Sequence, residues 1–337
     1  MNKKNRILTL ILVSVLAAAV TVLLFVLAWR LIAKENSYKA AVRLFEQGRF
    51  RDAAEAFEAL EDYKDSREKT EESLEKYDQG KYYYALGLFE QEKYSEAARV
   101  LDTIYYFPGA SELAEQCWIK VVGEEVWESV KSIEIGSVLK LGRYEQDAND
   151  ANGLEDIEWV VLDKKGASVF LMSKYAIEVR PYHTDFSSIS WKNCALRAWL
   201  NGDFYKTAFN AEERDCILLT ENRRDSSSKY NTYKYAKTED YVFLMSLEEV
   251  DRYLSDKPDL LLCLPTKHFI ERGGYISSIK PGLEGHCWWM TRTPGETNKL
   301  VAEVCYDGTY DLYGRKVGYK FDAVRPAMWV DCFALSN

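Results

Sequence analysis

Residues 301–313 read Val-Ala-Glu-Val-Cys-Tyr-Asp-Gly-Thr-Tyr-Asp-Leu-Tyr and carry the clearest fold pattern in the chain. Apolar and aromatic residues dominate the runs 301–306 and 309–313, and Asp307-Gly308 separates them. A tight hairpin turn needs backbone conformations with positive φ, which Asp tolerates and Gly adopts freely. This stretch therefore predicts a β-hairpin with a two-residue turn.

The sequence around this hairpin has the same β-rich character from about residue 133 onward. Short apolar runs are separated by Gly, Asn and Asp, which is typical of strands joined by turns. Strands are predicted at 138–144, 157–163, 167–173, 288–291 and 324–330, and helices at 192–200 and 247–254. We therefore expect a C-terminal mixed α+β domain over residues 133–337.

Residues 34–132 have a helical composition instead, with Pro108 as their single proline. The sequence Leu-Phe-Glu-Gln-Gly-Arg-Phe-Arg-Asp-Ala-Ala at 44–54 recurs at 88–98 as Leu-Phe-Glu-Gln-Glu-Lys-Tyr-Ser-Glu-Ala-Ala. An apolar helix end, a polar turn, an aromatic and an Ala-Ala pair resemble the tetratricopeptide family, although the offset here is 44 residues. We expect a short all-α array of about five helices. This array could present a groove that binds peptides. Two copies of the repeat are too few for a long groove, so a spacer is the favoured interpretation.

Residues 7–29 contain no charged side chain. As a helix, this run would be about 35 Å long, against a bilayer hydrocarbon core of about 30 Å. Basic residues precede it, so the positive-inside rule predicts a cytoplasmic N-terminus and extracytoplasmic domains. A cleaved signal peptide is the alternative, but 27–29 (Leu-Ala-Trp) is a poor cleavage site. The sequence thus predicts a single-pass transmembrane anchor at 1–33, a helical region at 34–132 and a third segment at 133–337.

The composition excludes some partners. A formal net charge of −9 and a pI near 5.2 oppose binding to nucleic acid, which needs a phosphate-neutralising surface. Seven cysteines without a CxxC pair give no disulfide framework, and an odd number leaves at least one thiol without an internal partner.

Four blocks of the C-terminal sequence carry a family resemblance. They are 189–191 (Ile-Ser-Trp), 196–201 (Leu-Arg-Ala-Trp-Leu-Asn), 288–295 (Trp-Trp-Met-Thr-Arg-Thr-Pro-Gly) and 324–329 (Val-Arg-Pro-Ala-Met-Trp). Together they resemble the bacterial domain of unknown function 6273, over about residues 135–332. The resemblance implies an extracytoplasmic or surface setting, without an established activity or catalytic residues. The closing strands are also similar to C-type-lectin-like folds and the formylglycine-generating-enzyme architecture, which bears on fold and not on function.

The titratable residues do not form a catalytic or metal-binding motif. His183, His268 and His286 are far apart and lack a ligand spacing such as HExxH. A formylglycine-generating activity would need a cysteine pair, for which Cys287 and Cys305 are the candidates because they lie on neighbouring predicted strands. We therefore expect no catalytic residues, no metal site and no cofactor.

Candidate ligand-binding residues are Trp288, Trp289, Arg292 and Arg325. Alternation along a strand sends one of the two tryptophans outward, where its ring could stack on a sugar or an aromatic ligand. The arginines could bind an anion, although buried arginines that tie the fold together are the alternative.

The leading hypothesis is a membrane-anchored bacterial envelope protein with a non-enzymatic binding or interaction role. The membrane contact would be residues 7–29, and the expected partner is an envelope protein or a glycan. An enzyme, or a degenerate enzyme related to the formylglycine-generating architecture, is the alternative.

Overall fold

The computed structural model describes residues 3–223, 230, 237–278 and 282–332, without the side chains of 3–20, 22–24 and 27. The chain forms two compact units, residues 1–114 and 115–337. The first is helical, and the second combines β-sheets with short helices. The predicted α+β class, with a helical N-terminal region and a C-terminal sheet domain, is therefore confirmed. The domain limits predicted at 33/34 and 132/133 stay predictions.

The N-terminal region is built from helices. They are α1 (Lys3–Glu46), α2 (Phe50–Glu58), α3 (Ser66–Glu90), α4 (Tyr94–Asp102), α5 (Ala110–Val122) and α6 (Glu124–Lys131). Ala53 on α2 and Ala97 on α4 are fully buried, because a methyl group lets neighbouring helices approach closely. Phe57 and Leu101, one turn further along, are also fully buried.

The turn between α1 and α2 recurs between α3 and α4 with nearly the same geometry. In the first copy, the Arg49 N–H donates to Leu44 O at 3.0 Å, and the Phe45 and Phe50 ring centroids are 5.3 Å apart. In the second copy, the distances are 3.0 Å for Lys93 and Leu88 and 5.4 Å for Phe89 and Tyr94. The tetratricopeptide-like interpretation of this region stays a prediction.

Helix α1 includes the uncharged run 7–29. Among the described residues, no helix combines the length and the apolar character needed to cross a membrane. Most side chains of the predicted anchor lie outside the described residues.

The described residues of the second unit form two five-stranded sheets and one two-stranded sheet. The strands are β1 (Val138–Tyr144), β2 (Glu155–Lys165), β3 (Ser168–Ser173), β4 (Glu178–Val179), β5 (Ile217–Leu218), β6 (Thr220–Asn222), β7 (Thr238–Asp240), β8 (Trp289–Pro294), β9 (Leu300–Val304), β10 (Tyr310–Lys316), β11 (Ala323–Val324) and β12 (Ala327–Asp331). The orders are β1-β2-β3-β12-β5, β10-β9-β8-β11-β4 and β6-β7. Among these described strands, β8 pairs with β11 in parallel and the other pairs are antiparallel.

Short helices fill the connections between these strands. They are α7 (Ala195–Trp199), α8 (Tyr205–Ala208), α9 (Ala211–Cys216), α10 (Leu247–Leu254), α11 (Pro258–Leu261) and α12 (Lys267–Glu271), with a 3-10 turn at Trp191–Asn193 and a π-helical turn at Leu200–Phe204. The single helix predicted at 192–200 is therefore split between three helical forms. The helix predicted at 247–254 is confirmed as α10.

The predicted hairpin at 301–313 is confirmed as β9 and β10, with Val304 opposite Tyr310. Its turn is longer than predicted, because Cys305 N donates to Thr309 O at 2.7 Å and leaves three residues between them. Gly308 lies in this loop with a φ of +81°. A left-handed residue closing a three-residue loop is a common hairpin connection.

The predicted strand at 324–330 is two strands in different sheets. β11 pairs with β4 and β8, whereas β12 pairs with β3 and β5. Arg325 and Pro326 lie between them, and Pro326 has no N–H to donate to a strand ladder. The chain thus crosses from one large sheet to the other at these two residues.

Candidate functional site

Trp289 and Arg325 come together in the second unit, but inside the protein. Trp289 is fully buried, and its Nε1 donates to Leu261 O at 3.0 Å. The Arg325 guanidinium lies 5.1 Å from the centre of the Trp289 ring and donates to the carbonyls of Ser173 at 3.0 Å and Leu260 at 2.6 Å. These bonds connect the β11–β12 crossing to the end of β3 and to α11. The two residues therefore hold the fold together at that point.

Arg292 lies in a second buried position. Its side chain is 2 % exposed and forms an ion pair with Glu249 on α10, with Nη2 donating to Glu249 Oε1 at 2.7 Å. Nη1 donates both to the other oxygen of Glu249 and to Leu244 O, the latter at 2.9 Å. This arrangement ties β8 to α10.

Trp288 lies just before β8 and is half-buried, whereas Trp289 is fully buried. Its ring packs 5.1 Å from Tyr275 and 4.5 Å from Tyr306, measured between centroids. Of the four predicted ligand-binding residues, three are buried and one belongs to this aromatic surface cluster. They do not form one open site within the described part of the chain.

Cys287, which with Cys305 was the candidate pair under the enzyme alternative, lies next to Cys263. Cys287 N donates to Cys263 O at 2.9 Å, and the Cys287 thiol contacts the same carbonyl at 3.4 Å. Cys305 lies instead in the β9–β10 loop. Burial raises the pKa of the Cys287 thiol well above its ordinary value, which keeps it protonated. A protonated thiol without solvent contact is a poor nucleophile.

The three histidines lie in different surroundings. His183 Nδ1 accepts from Ala195 N at 3.2 Å, and His286 Nδ1 lies 3.1 Å from Leu283 O. His268 Nε2 is 3.7 Å from the buried carboxylate of Glu178. Each histidine thus has a local partner of its own.

An open groove lies between the β1–β2 hairpin and the segment from α8 to α9. Its volume is about 650 Å³, within the range of about 300 to 1,000 Å³ that small ligands occupy. Its charged lining consists of Lys140, Arg143, Lys206 and Arg214, with the carboxylates of Asp156 and Glu213. We call it the basic groove. Cationic side chains outnumber carboxylates by four to two here, although the whole chain is acidic.

Both carboxylates of the basic groove already have partners. Asp156 pairs with Arg143 at 3.1 Å and with Lys140 at 3.7 Å. Glu213 Oε1 accepts from Gly142 N at 3.0 Å, and its other oxygen caps the first turn of α9. Neither carboxylate is therefore free to act as a base on a bound molecule.

The remaining cations are arranged differently. Arg214 Nη1 donates to Phe209 O at 2.5 Å, which fixes the guanidinium at the wall of the groove. Lys206 is exposed and makes no ion pair with any described residue. These two side chains supply the surplus positive charge.

Gly142 brings the two walls of the basic groove into contact. Its φ is +69°, and a Cβ there would lie 2.6 Å from the Phe209 ring and 2.7 Å from Ala208 O. Only glycine allows this approach. Sequence analysis missed the groove because its cations come from two distant segments, 140–143 and 206–214.

A buried carboxyl pair lies elsewhere in the second unit, on β9 and just before β11. Glu303 is fully buried and lies 3.4 Å from Arg315 Nε, while Asp322 lies 3.8 Å from the same atom. Burial and the neighbouring Asp322 carboxylate raise the pKa of Glu303 well above its ordinary value of 4.5. Burial likewise raises the pKa of Asp322. The positive charge of Arg315 does not offset the free-energy cost of burying both carboxylates.

This pair predicts a pH-dependent stability. The Glu303 carboxyl binds its proton more tightly in the folded state than in the unfolded state. Its contribution to stability is therefore complete below pH 4.5, and it is lost as pH rises from there through the folded pKa of about 10. We expect the free energy of unfolding to fall by up to about 1.4 kcal/mol per pH unit across this range. Glu303→Gln removes much of the dependence. Urea titrations at about pH 5, 7 and 9 measure it.

Glu296→Gln is the matched control, because Glu296 is exposed at the end of β8. It should retain the pH dependence of the unmodified protein. Equal slopes for the Glu303→Gln and unmodified proteins would contradict the prediction.

The comparisons with known proteins agree with the sequence motifs. Residues 166–332 match the family described as domain of unknown function (DUF6273). None of the curated proteins and none of the solved structures matches the chain. The match begins after β2, so the first wall of the basic groove precedes it. The C-terminal part of this chain is therefore similar to the DUF6273 family.

Proposed function

We propose that the protein is a membrane-tethered component of a bacterial envelope, and that its C-terminal unit binds an anionic ligand without changing it chemically. The observation that carries this proposal is the surplus of positive charge in the basic groove. A cationic concavity on an acidic protein attracts anions locally, while the rest of the surface repels them.

The chemistry of the basic groove favours binding over catalysis. Asp156 and Glu213 are engaged by partners within the groove. Thr207, the hydroxyl side chain of its lining, donates to Asp203 O at 2.7 Å. A nucleophile would need a neighbouring base to activate it. The described lining supplies cations and apolar surface instead.

The ligand class follows from these groups. An arginine fork binds carboxylates and phosphates in two-pronged fashion, and a lysine adds a mobile point charge. Leu154, half-exposed at the rim, offers apolar contact beside them. We therefore infer an acidic glycan, whose carboxylates would meet the cations while its sugar rings cover the apolar rim.

The proposed location rests on the sequence. The uncharged run 7–29 would tether the chain with its N-terminus in the cytoplasm, and the C-terminal unit would lie outside. The tetratricopeptide-like helices between them in the chain would serve as a spacer.

The test compares an acidic with a neutral oligosaccharide. Galacturonic acid hexamer should bind the full-length protein in calorimetry at low salt, and maltohexaose should not. Lys206→Glu should weaken galacturonate binding about tenfold, since it reverses a charge in the groove. Raising the salt concentration should weaken binding as well.

Lys192→Glu is the matched control, because Lys192 is an exposed lysine outside the groove lining. It should bind galacturonate as the unmodified protein does. Equal affinity for both sugars, or equal losses in the two lysine variants, would refute the groove as an anion site.

A further inference from the structure

The loop between β1 and β2 brings three carboxylates together. Carboxylate oxygens of Glu145, Asp147 and Glu155 all lie within 4.8 Å of one another. Glu145 and Asp147 follow the end of β1, and Glu155 begins β2. The strand pairing thus closes an acidic cluster at the neck of this loop.

Glu145 is the buried member of the cluster, with 8 % of its surface exposed. Its Oε1 accepts from Asn149 N at 3.0 Å, whereas its Oε2 is buried and has no hydrogen-bond donor among the described residues. Asp147 likewise has one oxygen that accepts a hydrogen bond and one that does not. Its Oδ2 accepts from Asn152 Nδ2 at 2.7 Å, and its buried Oδ1 has no donor in the described structure. Two buried carboxylate oxygens therefore lack the partner that such atoms require.

A cation would supply the missing partner. No lysine or arginine among the described residues forms an ion pair with Glu145, Asp147 or Glu155, although Asp156 next along the chain has two. Glu155 Oε2 accepts from two backbone N–H groups, those of Gln146 at 2.8 Å and Asp147 at 3.3 Å. Three negative charges in a partly buried loop repel one another unless a positive charge joins them.

We propose that Glu145, Asp147 and Glu155 bind a calcium ion. All three donors are carboxylate oxygens, which hard divalent cations prefer. Two oxygens on opposite sides of Ca²⁺ are about 4.8 Å apart, because each lies about 2.4 Å from the ion. The oxygens of this cluster all lie within that span. Mg²⁺ usually keeps several waters and takes only one or two carboxylates, so three convergent carboxylates favour Ca²⁺.

Calcium here would fix the loop 145–155. The ion joins residues before and after the loop, so binding would hold the ends of β1 and β2 in place. The residues that flank the cluster, Arg143 and Asp156, line the basic groove. The site does not depend on the groove's ligand. Sequence analysis predicted no metal site, because the histidines lack a ligand spacing. The carboxylates at 145, 147 and 155 do not follow the spacing of a known calcium loop.

The test is calcium binding by the full-length protein after chelation and dialysis. Calorimetry with CaCl₂ should show one ion per chain, with a Kd between about 10⁻⁶ and 10⁻³ M. Saturating calcium should raise the melting temperature. Glu145→Gln should weaken binding at least tenfold, and Asp147→Asn should do the same. The glutamine keeps the oxygen that accepts from Asn149, so circular dichroism should show a folded variant.

Asp150→Asn is the matched control, since Asp150 is an exposed carboxylate in the same loop and outside the cluster. Its affinity should stay within twofold of that of the unmodified protein. The site assignment is overturned if the unmodified protein shows neither heat nor a higher melting temperature. It is also overturned if the Asp147→Asn variant binds as tightly as the control. Equal affinity for MgCl₂ would overturn the choice of calcium.

Discussion

Replacing Asp240 with alanine is expected to lower the free energy of unfolding by about 3–5 kcal/mol. Asp240 is fully buried at the end of β7. One carboxylate oxygen accepts from Trp191 Nε1 at 3.0 Å, Asn222 Nδ2 at 2.9 Å and Thr238 Oγ1 at 2.6 Å. The other forms an ion pair with Arg197. Alanine would leave three buried donors and one cation without their acceptor, and each unmet donor is costly.

The neighbouring Glu239 supplies the control for this prediction. Its side chain is exposed on the same strand, so Glu239→Ala should change the stability by less than about 0.5 kcal/mol. Urea unfolding followed by tryptophan fluorescence measures both variants. A loss below about 1 kcal/mol for Asp240→Ala would show that water or local rearrangement replaces the carboxylate.

The Asp240 carboxylate connects residues from two of the sequence blocks that resemble the family. Trp191 and Arg197 belong to the sequence blocks that resemble the DUF6273 domain, and both donate to Asp240. Asn201, at the end of the second block, donates to Val242 O at 2.9 Å and accepts from Tyr241 N at 2.7 Å. These motif residues therefore position the segment around β7, and they do not line the basic groove.

Replacing Glu249 with alanine is expected to cost about 3–5 kcal/mol, because it leaves the Arg292 guanidinium buried without a counter-charge. Arg292 is 2 % exposed and cannot lose its proton at ordinary pH. Glu249 also caps α10 by accepting from Ser246 N at 3.0 Å, so the helix would lose part of its N-terminal cap.

Two further variants separate these contributions. Glu248→Ala removes the neighbouring acid, which pairs with Arg252 at 3.6 Å on the helix surface, and should cost about 0.5 kcal/mol or less. The double variant Glu249→Leu with Arg292→Met removes both charges and should recover much of the loss. If Glu249→Ala and Glu248→Ala were equally stable in urea titrations, the buried ion pair would contribute nothing.

Local patterns predicted the elements that depend on neighbouring residues. The Asp307-Gly308 pair between two apolar runs was sufficient for the β9–β10 hairpin, since turn chemistry acts within a few residues. Ser246 and Glu249 likewise mark the start of α10, where both reciprocal cap hydrogen bonds form. The predicted strand at 288–291 begins at Trp289 in the structure, and the sequence could not show which of the two tryptophan rings would be covered.

The candidate sites were harder to predict from sequence, because they depend on contacts between residues far apart in the chain. Whether Arg292 meets a ligand or Glu249 depends on a helix 43 residues away in the chain. The basic groove forms only where Gly142 lets β1 approach Phe209. The charge and burial at these positions depend on which segments folding brings together. A single sequence does not show which segments will pair.

The sequence by itself determined the order of the chain: an uncharged N-terminal run, a helical region with a 44-residue repeat, and a β-rich part with DUF6273 motifs. These properties are encoded in composition, periodicity and turn residues, which act locally. Only the tertiary structure decided that Arg325 and Pro326 carry the chain between two sheets, that Arg292 is buried on Glu249, and that the loop 145–155 closes three carboxylates together. Those outcomes depend on contacts between residues that are far apart in the sequence. Such contacts form only when the chain folds.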